Sequence, residues 1–120
     1  MQPNERDAAY LWDMLQAARR LQEFTADLSR EAYIESVLIQ SAVERQLEII
    51  GEAARRVSEA FQQKHPEIPW RSIIGQRNVL AHQYGEIQQE RLWEIVSVYI
   101  PKLIDQLSAL MPPLPPMEKN

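Results

Sequence analysis

The stretch Val43-Glu44-Arg45-Gln46-Leu47-Glu48-Ile49-Ile50-Gly51-Glu52-Ala53-Ala54-Arg55-Arg56-Val57-Ser58-Glu59-Ala60-Phe61 decides the fold. Its apolar residues recur every three or four positions and so share one side of an α-helix. This stripe consists of Val43, Leu47, Ile50, Ala54, Val57 and Phe61. With Ser29 as a favourable N-cap, the pattern predicts one long helix from about Ser29 to Gln63. Gly51 inside it indicates close packing against a neighbouring backbone.

The same spacing predicts three further helices, over about residues 4–24, 70–82 and 88–110. Pro69 favours the start of the third helix, Gly85 its end, and Pro101 should kink the last one. Strand-like alternation of apolar and polar residues is absent. The sequence therefore predicts an all-α protein, an up-and-down helical bundle of four to five helices.

Helix two carries apolar residues beside its main stripe, which a small subunit would struggle to cover. They are Ile39, Ala42, Ile49 and Ala53. We therefore expect a homodimer, most simply a two-fold one. Residues 1–110 are expected to form one helical domain. Residues 111–120 are too rich in proline for a helix and are expected to be extended or disordered.

Composition narrows the class of protein. Of the 120 residues, 45% are apolar and 25% charged, which is ordinary for a globular domain. The absence of cysteine excludes disulfides and thiolate zinc sites and fits a reducing cytoplasm, where we expect the protein. No signal peptide or membrane span is predicted. The net charge of −4 argues against non-specific nucleic-acid binding through a broad basic face, but leaves room for a narrow basic cleft.

The segment Arg77-Asn78-Val79-Leu80-Ala81-His82-Gln83-Tyr84, here called the motif, holds the candidate chemistry. The imidazole of His82 can take and give protons near neutrality. Arg77 can hold a phosphate through two hydrogen bonds and stabilise its developing charge, while Asn78 lies one helical turn before His82. Such a set suits cleavage of RNA, whose 2′-hydroxyl is a built-in nucleophile, without a metal.

Arg77 and His82 are five residues apart, about 140° around a straight helix, so they are not ideal neighbours. The long arginine side chain can swing round, or a second copy can complete the site across a dimer axis. A plainer interpretation stays open: His82 caps a helix end and Arg77 pairs with a surface carboxylate. A row of Ser41, Arg45, Glu48, Glu52 and Arg55 is either an ion-paired surface or, through Glu48 and Glu52, support for the motif.

The chain resembles HepT-like members of the HEPN superfamily over nearly its whole length. The blocks that carry the resemblance are Tyr10-Leu11-Trp12-Asp13-Met14-Leu15, Ala42–Ala53, Ile68-Pro69-Trp70, Arg77–Tyr84 and Tyr99-Ile100-Pro101-Lys102-Leu103. The order arginine, four residues, histidine, one residue, tyrosine is the family signature, and this sequence meets it without departure. The resemblance implies a dimeric helical bundle whose two motifs face one cleft.

The resemblance also implies an endoribonuclease toxin of a type VII toxin–antitoxin pair that needs no metal or cofactor. Arg77 and His82 would be catalytic, with Asn78 as a polar helper. Glu52 lies in a matching block, but its supporting role is expected from the polar row and not from the resemblance. The partner would be an MntA-type nucleotidyltransferase antitoxin that transfers AMP to Tyr84. The alternative is a non-catalytic nucleotide-binding or scaffold subunit that partners a nucleotidyltransferase. A third interpretation is a purely structural dimeric helical protein.

Overall fold

A computed structural model describes residues 3–75 and 86–111. All regular structure in these two ranges is helical, which confirms the all-α class. The elements are α1 (Glu5–Thr25), α2 (Arg30–Glu35), α3 (Val37–Arg56), α4 (Glu59–Lys64), α5 (described over residues 70–75), α6 (Glu86–Glu94), a π-helical turn (Ile95–Tyr99) and α7 (Ile100–Leu110). No helix in the described ranges is long and apolar enough to cross a membrane.

The core lies where α1 packs against both α3 and α7. Helix α1 begins at its N-cap Asn4, whose side chain accepts a 2.7 Å hydrogen bond from the Asp7 amide. Its buried face meets the predicted stripe of α3 and the apolar side of α7. The fully buried side chains include Leu11, Met14, Leu15, Leu21, Val43 and Leu107. All six residues of the predicted stripe are buried, so helical spacing identified this part of the core correctly.

The prediction of a single long second helix was wrong, because two serines divide this segment into α2, α3 and α4. The backbone of Ser36 is extended, and its hydroxyl accepts a 3.1 Å hydrogen bond from the Ile39 amide. Ser58 likewise accepts a 3.2 Å hydrogen bond from the Phe61 amide. Each hydroxyl satisfies a backbone donor at the start of a new helix, so the chain turns without leaving that donor unpaired.

The break between α3 and α4 is stabilised by Asp7 of α1. Its side chain is only 3% exposed and accepts two hydrogen bonds, 2.8 Å from the Ser58 amide and 2.6 Å from the Ser58 hydroxyl. A buried carboxylate needs such partners, since leaving it unpaired is costly. Asp7 therefore ties the first turn of α1 to the N-cap of α4.

The last predicted helix is present, with a local irregularity at its proline. Pro101 lies in the first turn of α7, directly after the π-helical turn Ile95–Tyr99. The Ile100 amide bonds to the Ile95 carbonyl, five residues back. Because proline has no amide hydrogen, the regular ladder is interrupted here, and the π-helical turn takes up the interruption.

Candidate functional site

The motif residues Arg77, Asn78, His82 and Tyr84 lie outside the residues that the structure describes. Their assigned roles therefore stay predictions. What the structure does describe is the helix that leads into the motif along the chain, the helix that follows it, and the surfaces that those helices form.

The start of α5, the helix that precedes the motif in sequence, is anchored to the core. The Trp70 indole donates a 2.9 Å hydrogen bond to the His65 carbonyl, and the Ile73 amide donates a 3.0 Å hydrogen bond to the Pro69 carbonyl. Ile68 and Trp70 are buried, and Trp70 meets the Phe61 ring edge-on, with centroids 6.5 Å apart. This Ile-Pro-Trp turn anchors α5 on the core, as expected for an indole with an apolar body and a polar tip.

A buried chain of hydrogen bonds holds α6, the helix that follows the motif in sequence. The Tyr33 hydroxyl donates a 2.6 Å hydrogen bond to Gln89 Oε1, and Gln89 Nε2 donates a 3.0 Å hydrogen bond to Glu44 Oε2. Tyr33 is completely buried and its ring lies 5.3 Å from that of Trp93. Burial, and then the negative charge of Glu44, raise the pKa of Tyr33 far above its ordinary value. Tyr33 therefore acts as a neutral hydrogen-bond donor.

Sequence reasoning missed this chain of hydrogen bonds. Tyr33, Glu44 and Gln89 come from α2, α3 and α6 and are far apart in sequence. No spacing rule links residues on three different helices. The only local signal is a tyrosine within an apolar row, which does not say where its hydroxyl goes.

Glu52, the supporting residue that the structure does describe, lies in an ion-paired surface row. It accepts hydrogen bonds of 2.8 Å from Arg55 and 3.1 Å from Arg56, while Arg45 lies 3.8 Å from Glu48. Every side chain in these pairs is at least a third exposed. The predicted ion-paired surface is therefore confirmed, with little expected stabilisation from each pair. A further role of Glu52 at the motif stays a prediction.

Next to this row, α1 and α3 form a polar pocket of about 350 Å³ that includes Tyr10. Hydrogen bonding to Arg56 and then to Arg6 holds the pKa of Tyr10 below its usual range, because the cations favour the phenolate. The Arg6 guanidinium also lies 6.0 Å from the centre of the Tyr10 ring. Since Asp13, Glu48 and Glu52 share the pocket, its charge is mixed rather than basic.

A larger groove of about 700 Å³ lies between the helices on either side of the motif in sequence. We call it the α5–α7 groove and define it by Ile50, Ser72, Arg91, Tyr99, Lys102 and Gln106. Its floor is apolar, and exposed charged side chains stand along its edge. A groove with an apolar floor and a few charged groups can bind an extended, amphipathic ligand.

Comparison with known proteins identifies the family. The model of the family described as "Ribonuclease HepT-like" matches residues 14–110. The chain is 42% identical over 101 residues to a Methanocaldococcus jannaschii protein named a "Putative RNase", covering 83% of this chain and 93% of the relative. It is 39% identical over 94 residues to the "Probable ribonuclease HepT" of Thermococcus cleftensis, covering 78% and 86%.

A second M. jannaschii protein named a "Putative RNase" is 30% identical over 118 residues and matches 98% of both chains. No solved structure gives a significant match. The family model extends from within α1 to the end of α7 and includes the whole motif. The chain therefore belongs to the HepT-like ribonuclease family of the HEPN superfamily.

Proposed function

We propose that this protein is a metal-independent endoribonuclease and the toxin of a type VII toxin–antitoxin pair. One observation carries the proposal: the ribonuclease family model matches residues 14–110, and within that range the chain keeps the complete signature of Arg77, His82 and Tyr84. Relatives that cover most of the chain carry ribonuclease names, which supports the same reaction class.

The proposed reaction uses the substrate's own 2′-hydroxyl. One His82 imidazole takes the proton of that hydroxyl as its oxygen attacks the adjacent phosphorus. The bond from phosphorus to the 5′-oxygen breaks, and the same imidazole, now protonated, gives that oxygen a proton. Arg77 binds the phosphate oxygens and stabilises their extra negative charge, and Asn78 orients the imidazole or the phosphate. DNA, which lacks the 2′-hydroxyl, is not cleaved in this way.

The proposed site is shared between two subunits. Because about 140° separates Arg77 from His82 on a straight helix, pairing the arginine of one copy with the histidine of the other relieves the misfit. The described surface has apolar side chains for a contact to cover, though not those predicted on helix two. Ala53 is buried within the subunit and Ile39, Ala42 and Ile49 are half-buried. The most exposed are Val37 and Leu38, at 74% and 78%.

Inhibition is proposed to act on Tyr84. An MntA-type nucleotidyltransferase transfers AMP from ATP to its hydroxyl, forming a phosphodiester and releasing pyrophosphate. The added group stands two residues from His82, blocks the cleft and competes with RNA phosphate for Arg77. Such a toxin and its antitoxin act in the cytoplasm, where RNA and ATP are available.

Induced expression tests the biological part of this proposal. The wild-type chain should arrest growth, His82→Ala should not, and co-expression of a cognate MntA-type nucleotidyltransferase should relieve the arrest. Growth arrest by the wild type and His82→Ala alike would contradict the proposal.

Calorimetry with ATP and AMP tests the non-catalytic alternative, which the acidic net charge favours. Micromolar nucleotide binding without RNA cleavage would support that alternative.

A further inference from the structure

Two exposed cations, Arg91 and Lys102, line the α5–α7 groove. Within residues 3–75 and 86–111, no carboxylate lies within 4.0 Å of Arg91 or Lys102. By contrast, Arg30, Arg45, Arg55 and Arg56 are all paired with glutamates. Unpaired cations on a groove edge attract an anion at little desolvation cost.

The two cations lie along one continuous helical segment, α6 to α7. Arg91 and Lys102 are eleven residues apart, which is a rise of about 16 Å along a helix. Tyr99 lies between them on the same groove and is 55% exposed. An exposed aromatic ring between separated cations offers a stacking surface for a base between two phosphate contacts.

We propose that the α5–α7 groove binds an unpaired stretch of the RNA substrate, with Arg91 and Lys102 on separate phosphates and Tyr99 stacked on a base. The inference rests on the proposed ribonuclease function and adds a substrate class, single-stranded RNA. The walls of the groove come from α5, directly before the motif, and from α6, directly after it. In sequence, the motif that is proposed to cut the RNA connects these two walls.

The other charges of the groove favour a specific contact over general polyanion binding. Glu67 and Glu94 also line it, so phosphates are directed to Arg91 and Lys102. Glu67 is itself engaged, 3.0 Å from the His65 imidazole. Stacking on Tyr99 requires a base that is free of its duplex partner, so unpaired RNA fits better than a double helix.

Fluorescence anisotropy with a labelled single-stranded oligoribonucleotide in EDTA tests the inference. The parent is the full chain carrying His82→Ala, so that the probe stays intact. Arg91→Ala and Lys102→Ala should each weaken binding and reduce the slope of log affinity against log salt by about 0.7. Tyr99→Ala should weaken binding about 5- to 100-fold, while Tyr99→Phe keeps the ring and the affinity. Arg20→Ala, an exposed arginine of α1, is the matched control.

Affinity and salt slope equal to the parent's in all three groove variants would overturn the inference. So would a change from dimer to monomer in Tyr99→Ala, measured by light scattering, since the groove would then be a subunit contact. A hairpin probe that binds as tightly as the single strand would overturn the choice of unpaired RNA. Cleavage by the wild type, measured separately, keeps the two proposals distinct. If the wild type cleaves RNA but the groove variants bind it as tightly as the parent, only the groove inference is rejected. If binding depends on the groove residues but the wild type does not cleave RNA, only the ribonuclease function is rejected.

Discussion

Tyr33 donates a 2.6 Å hydrogen bond to Gln89, a residue 56 positions later, and so fastens α2 to α6, the helix that follows the motif in sequence. Both side chains are buried, and Gln89 in turn donates a hydrogen bond to Glu44. In a low-dielectric interior such a chain is strong when every member has a partner and costly when one member is lost.

Tyr33→Phe should lower the free energy of unfolding by about 2 kcal/mol, because Gln89 Oε1 stays buried without its donor. Urea unfolding followed by circular dichroism measures the change. Tyr99→Phe is the control, since it removes an exposed hydroxyl and should change stability by less than about 0.5 kcal/mol. Equal unfolding midpoints for Tyr33→Phe and the wild type would show that the buried hydrogen bond contributes nothing to stability.

Asp7→Ala should destabilise the fold by about 3 kcal/mol, since it removes both charge-assisted hydrogen bonds to Ser58. The start of α4 then loses its link to α1. Asp13→Ala on the same helix is the matched control, because Asp13 is exposed. The same denaturant titration compares the two. Equal losses in both variants would mean that burial of Asp7 has no special role.

The helical class and the core followed from the spacing of apolar residues, but the breaks in the second helix did not. Val57 ends α3 with an extended backbone, yet it is buried, and Phe61 of α4 is buried too. The apolar stripe therefore continues across a break, and periodicity does not register the turn. The signals were Ser36 and Ser58, whose hydroxyls fit a helix surface as well as an N-cap until a partner such as Asp7 decides.

The candidate site, like the fold, could be predicted from the sequence only in part. Its signature residues stand together in sequence, and the family match supports the reaction class. Arg91 and Lys102, which have no carboxylate partner among the described residues, did not stand out in the sequence, because a charge's partners depend on its neighbours in three dimensions. For Glu52, by contrast, helical spacing already allowed an ion-paired surface row, and its distances of 2.8 and 3.1 Å to Arg55 and Arg56 bear out that interpretation.

A shared site predicts that two inactive variants restore each other. Arg77→Ala and His82→Ala should each be inactive alone. Co-expressed in equal amounts, they should give about one quarter of wild-type activity, since half of the dimers are mixed and each of those has one complete site of two. RNA cleavage by the purified mixture measures this. No recovery, with mixed dimers verified by two affinity tags, would place Arg77 and His82 of one site in the same subunit.

Modification of Tyr84 predicts a change of mass. Co-expression with an MntA-type nucleotidyltransferase, the proposed antitoxin, should add one or several AMP units to the wild-type chain and none to Tyr84→Phe. Intact-mass spectrometry detects the additions. Tyr10→Phe is the control, because Tyr10 also lies beside arginines and has a lowered pKa. Addition to Tyr84→Phe, or its loss in Tyr10→Phe, would move the modification site away from the motif.

Cleavage of RNA by the purified protein in EDTA tests the central claim most directly. The wild type and His65→Gln, which alters the one other histidine of the chain, should cleave a labelled single-stranded RNA at similar rates. His82→Ala should lose at least about a hundredfold in rate, the usual scale for removing a general acid or base. Equal cleavage by the wild type and His82→Ala, or none by the wild type, would contradict the account.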